Sequence, residues 1–266
     1  MPDGMRPSGR AKRYPGRWGT ELAVVVVGVL LALWAQAWFE GRKEADVHRD
    51  TIAQMDALFG RALAQTAARV ASSDCSRERI ADLDDALRSS DGYWRAMPLP
   101  NLPDSMATGH FRPVYLIDSD VLPLQVFDTA RQNGTMATLD ANDRRFYEDV
   151  EREVNWLNEV WNGSANPSMQ LSLLGIDGPL GENARDEMRQ ALAWLDNENR
   201  VTMLRAGSLA RLARARGFVL APTDLASFRR KIERDRRLFG DCVVELDPLE
   251  LKPVTTVTPA IAGDKM

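Results

Sequence analysis

The sequence predicts a mainly α protein in which one N-terminal transmembrane helix continues into a stalk and then an irregular helical bundle. Three observations predict it. Residues 22–39, LAVVVVGVLLALWAQAWF, are uncharged over eighteen positions. After residue 41, apolar residues recur at spacings of three and four through most of the chain, the period of an amphipathic helix. Prolines and glycines gather between residues 92 and 123, where long regular helix is not expected. The 44% apolar and 27% charged composition is that of an ordinary globular protein, so a packed portion should accompany the apolar run.

Residues 1–20 read as a basic tail, with Arg6, Arg10, Lys12, Arg13 and Arg17 set against Asp3. Residues 21–39 follow as the membrane helix. At about 1.5 Å of rise per residue it covers most of a ~30 Å hydrocarbon slab. Tyr14 and Trp18 precede it and Trp34 and Trp38 close it, placing amphipathic rings near both headgroup levels. Because the basic residues stand before the run while residues 40–50 mix both signs, the positive-inside rule keeps the N-terminus cytoplasmic and exports the rest. The alternative is secretion after cleavage near Ala37, since Ala35-Gln36-Ala37 has the small-x-small form of a signal-peptide site. Within the run, Gly28, Ala32 and Gln36 share one face and form a candidate packing face for a second membrane helix.

Residues 40–252 are expected to form the exported domain. No proline interrupts residues 41–71, where Ile52, Met55, Phe59, Leu63, Ala67 and Val70 make one helical stripe. A second helix, 77–90, capped by Asp74 or Ser76 and carrying Ile80, Leu83 and Leu87, is expected as the antiparallel neighbour of this stalk. Pro98, Pro100, Pro103 and Pro113 make 91–121 an irregular connection. Helix returns at 122–132 and stops at Asn133-Gly134. Asp140 or Asp143 then caps a helix to Trp161, with Phe146, Val150, Val154 and Leu157 inward. Residues 164–181 read as turn, and 182–216 as a long helix with Met188, Leu192, Leu195, Thr202, Ala206 and Leu209 inward and Gly217 as its stop. Thr223 is expected to cap a last helix to Phe239, packed through Leu225, Phe228 and Ile232. Residues 242–246 look strand-like, and 253–266 lack the large apolar side chains that would hold them down.

Few residues suggest chemistry. A formal charge of −4 gives no reason to expect nucleic acid as a partner. With His48 and His110 the only histidines, no histidine-based zinc or nucleophile constellation can be assembled. Asp118-Ser119-Asp120 places two carboxylates near one another without a third ligand at a recognisable spacing. Gly175, Gly178 and Gly181 lack the Lys-Ser/Thr of a phosphate loop. Arg229, Arg230, Lys231, Arg234, Arg236 and Arg237 crowd the last helix but share it with Asp224, Glu233 and Asp235, the pattern of a solvated face. Asn133-Gly134-Thr135 and Asn162-Gly163-Ser164 match a glycosylation pattern, yet both fall at helix ends and read as capping. No catalytic, cofactor-binding or metal-ligating residue is therefore assigned. Cys75 and Cys242 are either a disulfide formed in an oxidising compartment or two separate buried thiols.

The segment from Glu21 through Val24, Gly28 and Leu33, followed by Trp34 and Trp38 and then a charged amphipathic helix, resembles a family of uncharacterised bacterial single-pass membrane proteins. Residues 127–136, FDTARQNGTM, are similar to that family's helix ending in a polar-Gly pair before an apolar residue. The resemblance implies a bacterial inner-membrane anchor with a helical periplasmic domain, and carries no catalytic residues across. The anchor, the helical stalk and the lack of a reactive constellation make the expected function a membrane-anchored, non-enzymatic interaction or scaffold protein. Its partners would be the bilayer and a second copy or another membrane protein. Alternatives are a tethered sensor binding a small ligand or lipid, with 91–121 as a lid, and a hydrolase using Asp118, Asp120 or His110.

Overall fold

The computed structural model describes residues 16–102, 113–115, 121–163 and 165–253. Eight α-helices and four two-residue strands occur among them, so the fold is mainly α. The chain divides into two compact units, Met1–Asp50 and Thr51–Met266.

The first unit, as far as it is described, is helical throughout and belongs to α1 (Gly16–Ala71). From residue 22 to residue 39 every side chain is exposed except the half-buried Ala35. Leu22, Val24, Leu30, Leu31, Trp34 and Phe39 are each more than half exposed, at 59–73%. This helix is long and apolar enough to cross a membrane. Glu40, Arg42, Lys43 and Glu44 follow on the same helix without a break.

The second unit is a helical bundle with three apolar clusters, and α7 (Glu182–Arg216) contributes to two of them. Its first half buries Met188, Leu192 and Leu195 against Ile80, Leu83 and Leu87 of α2 (Ser73–Ser89) and against Leu171 and Leu174. Its second half buries Leu209 and Ala213 among Met55, Phe59 and Leu63 of α1, Phe127 of α3 (Gln125–Gln132), Met136 of α4 (Thr135–Thr138), and Phe146, Val150, Leu157 and Trp161 of α5 (Ala141–Gly163). The third cluster packs an alanine-rich stretch of α1 (Ala64, Ala67, Ala68, Ala71) against Phe228 and Ile232 of α8 (Pro222–Phe239) and against Val243 and Leu246. Small residues let α8 and the chain after it approach α1 closely.

Several expectations are corrected. The second helix does not pair with the stalk as a hairpin. Only Ser72 separates α1 from α2, with φ −103° and ψ 8°, and the ladder continues across it through Ser72 N to Ala68 O and Ser76 N to Ser72 O. Helical hairpins need two to five linking residues, so the apolar stripe of α2 goes to α7 instead. Residues 164–181 are not simply turn: Ala165–Leu171 is helix α6 and Ser172–Gly175 a 3-10 turn. Pro167 is tolerated there because the amides of a first helical turn have no intrahelical acceptor. At α8 the expected cap Thr223 is already inside the helix, since Pro222 occupies the first turn with its φ preset and no N–H to leave unpaired. The strand expected at 242–246 is a turn, Gly240–Cys242, followed by β3 (Leu246–Asp247), which pairs antiparallel with β4 (Lys252–Pro253). All of the tail from 254 onward lies outside the described residues.

Other boundaries follow their sequence signals. Asp140, of the two candidates, caps α5: its Oδ1 accepts from the amides of Asn142 and Asp143, each at 2.8 Å. Within the irregular connection, β1 (Tyr93–Trp94) pairs with β2 (Gly178–Pro179). Arg79 of α2 donates to the carbonyls of Val114 and Pro98 at 2.9 and 3.2 Å and to that of Met97. Those bonds tie the described part of the connection to α2. Leu122 is held to α5 by a reciprocal pair with the Asn158 amide, at 2.9 and 2.8 Å.

Gly217 ends α7 in the left-handed region, φ 64° and ψ 33°, so that Phe218 N reaches back to Ala213 O at 2.8 Å. A Cβ is disfavoured in that conformation by about 1–2 kcal/mol. Gly217→Ala should lower the unfolding free energy by about 1 kcal/mol, read from chemical denaturation. An unchanged midpoint would show that this turn relaxes without strain.

Candidate functional site

Two features stand apart from ordinary core: the uncovered apolar stretch of α1 and a polar cluster buried inside the bundle. Gly28, Ala32 and Gln36 recur every fourth residue and so share a helix face. A Cβ added at Gly28 would meet nothing within 4 Å, which leaves that face open. Gln36 does not simply project outward, because its Nε2 donates to Glu40 Oε1 at 2.9 Å. At the polar end of the run, the Arg42 guanidinium lies over the Trp38 ring, 4.7 Å from its centroid, and Trp38 meets Phe39 edge-on at 5.1 Å. In hydrocarbon, each Leu, Val or Phe near the helix centre is worth about −0.3 to −0.6 kcal/mol. In water the same surface would be an apolar patch of a size that soluble monomers rarely carry.

The buried cluster was not read from the sequence. Glu198 of α7 is 1% exposed. Its Oε1 accepts from the Arg69 guanidinium of α1 at 2.8 Å, and Arg69 also donates to Asn199 Oδ1 at 3.2 Å. Asn199 Nδ2 donates in turn to the Tyr115 hydroxyl at 2.9 Å. Glu198 Oε2, Thr202 Oγ1 and Gln65 Oε1 are buried without a hydrogen-bond partner among the described residues. Burial raises the Glu198 carboxyl above its ordinary range, and the Arg69 charge only partly offsets this. Burial likewise raises the Tyr115 phenol, against smaller opposing effects of Arg69 and of its bonds to Asn199 and Ser76. A signal was present in the sequence. The inward register Leu195, Thr202, Ala206, Leu209 passes over Glu198 and Asn199, and charge in an apolar row announces a buried partner.

A second ion pair joins α5 to α7. Arg205 Nη1 lies 3.2 Å from Glu153 Oε2, and its guanidinium also covers the Trp156 ring at 4.2 Å. Nearby, the Tyr147 hydroxyl donates to Asp56 Oδ1 at 2.9 Å. Burial followed by the Asp56 charge pushes that phenol well above its usual value. These contacts fix the angles between helices.

Cys75, in the first turn of α2, and Cys242, in the turn after α8, are joined as a disulfide with their Cα atoms 5.4 Å apart across 167 residues of sequence. The bond lies at the edge of the alanine-rich cluster and holds the chain after α8 against α1 and α2.

Of the residues weighed for chemistry, His110, Asp118, Ser119 and Asp120 lie outside the described residues, and His48 sits half-buried on α1. Among the described residues no group of three His, Cys, Asp or Glu is placed to hold a metal ion. Asn133 is engaged at both ends of its amide: its Oδ1 accepts from Thr135 N at 3.0 Å and its Nδ2 donates to Thr51 Oγ1 of α1 at 2.9 Å. A groove of about 370 Å³ runs between α2 and α7 over Ile80 and Leu192, edged by Arg88, Arg189 and Asp84. Beside Trp94 of the irregular connection lies a smaller pocket of about 200 Å³. No known family model, curated protein or solved structure matches the chain.

Proposed function

We propose that this chain is a single-pass protein of a bacterial inner membrane, with its N-terminus cytoplasmic and its helical bundle in the periplasm, acting as a non-enzymatic interaction or scaffold module. The observation that carries the reading is the uncharged run at 22–39, whose large apolar side chains lie uncovered on the helix surface. Lipid is the solvent that such a surface fits. Direction rests on the basic residues before the run and the mixed charges after it.

Two further observations support it. The helix runs through Ala35, Gln36 and Ala37 and on through the charged residues 40–44 without interruption, which favours an anchor over a cleaved leader. A disulfide between Cys75 and Cys242 suits an oxidising compartment and would be unusual in the cytoplasm. The non-enzymatic part rests on the sequence, where two histidines and two cysteines offer little for nucleophilic or metal chemistry. A topology reporter fused after Met266, read together with intact mass, tests the placement. The expected result is reporter activity only on the periplasmic side and a full-length mass in the membrane fraction. Cytoplasmic activity would reverse the orientation, and loss of residues 1–37 would remove the anchor.

A further inference from the structure

The outer face of α8 carries Arg229, Arg230, Glu233, Arg236 and Arg237, all exposed. Positions 229, 233 and 236 follow one helical row and 230 and 237 flank it, so the five form a single stripe about 12 Å long at 1.5 Å per residue. Four arginines oppose one glutamate in it. Arg229, Arg230 and Arg237 form no ion pair among the described residues, and Arg236 has a distant one with Glu245 at 3.8 Å. The neighbouring Arg234 differs, being turned to Asp235 at 2.6 Å.

An opposite stripe lies on α2. Glu78, Asp82 and Asp85 are exposed at spacings of four and three, a row about 10.5 Å long. None of the three forms an ion pair within 4 Å among the described residues, although Asp82 feels Arg79 and Asp85 feels Arg88 electrostatically. Asp74 extends the row by one turn and is paired with Arg77 at 2.8 Å. The two stripes match in length and oppose in sign. Both belong to one covalently locked body, because the Cys75–Cys242 bond ties the first turn of α2 to the turn after α8.

We infer that the partner of this interaction module is a second copy of the same chain, the arginine stripe of α8 on one copy docking against the acidic stripe of α2 on the next. The inference rests on the interaction reading above and names its partner. Guanidinium groups make strong two-point hydrogen bonds with carboxylates, and tethering in one membrane raises the concentration at which the stripes meet. Each contact leaves a free stripe of either sign on the outer copies unless two contacts close a twofold dimer. The Gly28, Ala32 and Gln36 face is a separate route to self-association and does not depend on these charges.

The test uses the full chain in anionic and in neutral lipid nanodiscs and in native membranes, read by crosslinking and by mass. Wild-type chain should associate in either lipid, and raising salt from 0.1 to 1 M should weaken association at least tenfold as the screening length falls from about 10 to about 3 Å. R229E/R230E/R237E and E78R/D82R/D85R should each lose association at least tenfold while keeping wild-type circular dichroism and melting. Mixing the two variants should restore it, because every contact then joins opposite charges again. Monomeric wild-type chain overturns the inference, as does association that survives either reversal or high salt. Binding that requires anionic lipid and leaves the chain monomeric overturns it in favour of a membrane surface. Crosslinking to a different protein without self-association ends the inference but leaves the interaction reading standing, whereas capture of nothing ends both.

Discussion

Replacing Arg69 with methionine is expected to cost about 3–5 kcal/mol of folding stability, the usual consequence of removing one partner from a buried ion pair. Methionine keeps most of the apolar stem, so the loss reads the charge. It leaves Glu198, 1% exposed, without the one cation that pairs with it among the described residues. The cost should depend on pH, and its sign is fixed. Glu198 already has a folded-state affinity for its proton above the ordinary value of 4.5. Its contribution to stability is therefore fully present below that value and is lost as pH rises through the raised folded value. Without Arg69 the folded value rises further, so the deficit of the variant should be larger at pH 8 than at pH 5. Urea midpoints of the full chain in mild detergent at the two pH values measure this. An equal deficit at both would assign the loss to packing rather than to charge. Glu198→Gln on the wild-type background should remove the corresponding slope.

Breaking the Cys75–Cys242 bond is the second large effect. Closing a loop of 167 residues restricts the unfolded chain by about 5 kcal/mol in the chain-entropy model, and removal of native disulfides typically costs about 2–5 kcal/mol. Reduction, or the C75A/C242A variant, should lower the unfolding free energy of the bundle by about 3–5 kcal/mol. The chain after α8 should respond first, because Val243 and Leu246 pack against the alanine-rich stretch of α1 beside that bond. Hydrogen exchange across residues 240–253 would show this as faster exchange than in α5. Stability indifferent to reductant, with two thiols titrating before its addition, would contradict the bond.

Helices with a continuous apolar stripe were legible in the sequence. Met55, Phe59 and Leu63 of α1, Val150, Val154 and Leu157 of α5, and Leu192, Leu195 and Leu209 of α7 are buried as their spacing of three and four requires. Gly134 and Gly217 adopt the positive φ that their stop positions called for. Where the reading failed, a nonlocal contact had overridden a local signal. Asp177-Gly178-Pro179 made all of 164–181 look like turn, but Leu171 in the helix and Leu174 in the 3-10 turn after it gain burial against α7. The partner of α2 was misjudged because adjacency in sequence suggested a hairpin, while the single residue Ser72 leaves no loop to make one.

The candidate site shows the same division. Residues 22–39 announce a membrane helix by themselves, because lipid compatibility is a property of length and uncharged composition and needs no tertiary partner. Cys75 and Cys242 could be named as a candidate pair, yet whether they meet depends on α8 packing on the alanine face of α1, a contact between segments far apart in sequence. Arg69 and Glu198 were invisible as a pair for the same reason, lying 129 residues apart in the chain. What the sequence determined alone is periodicity, punctuation and the solvent each segment suits, since these are encoded within a few turns of helix. Which stripes face each other, and which charges are buried together, only the tertiary structure decided, because those outcomes depend on the packing of helices far apart in sequence.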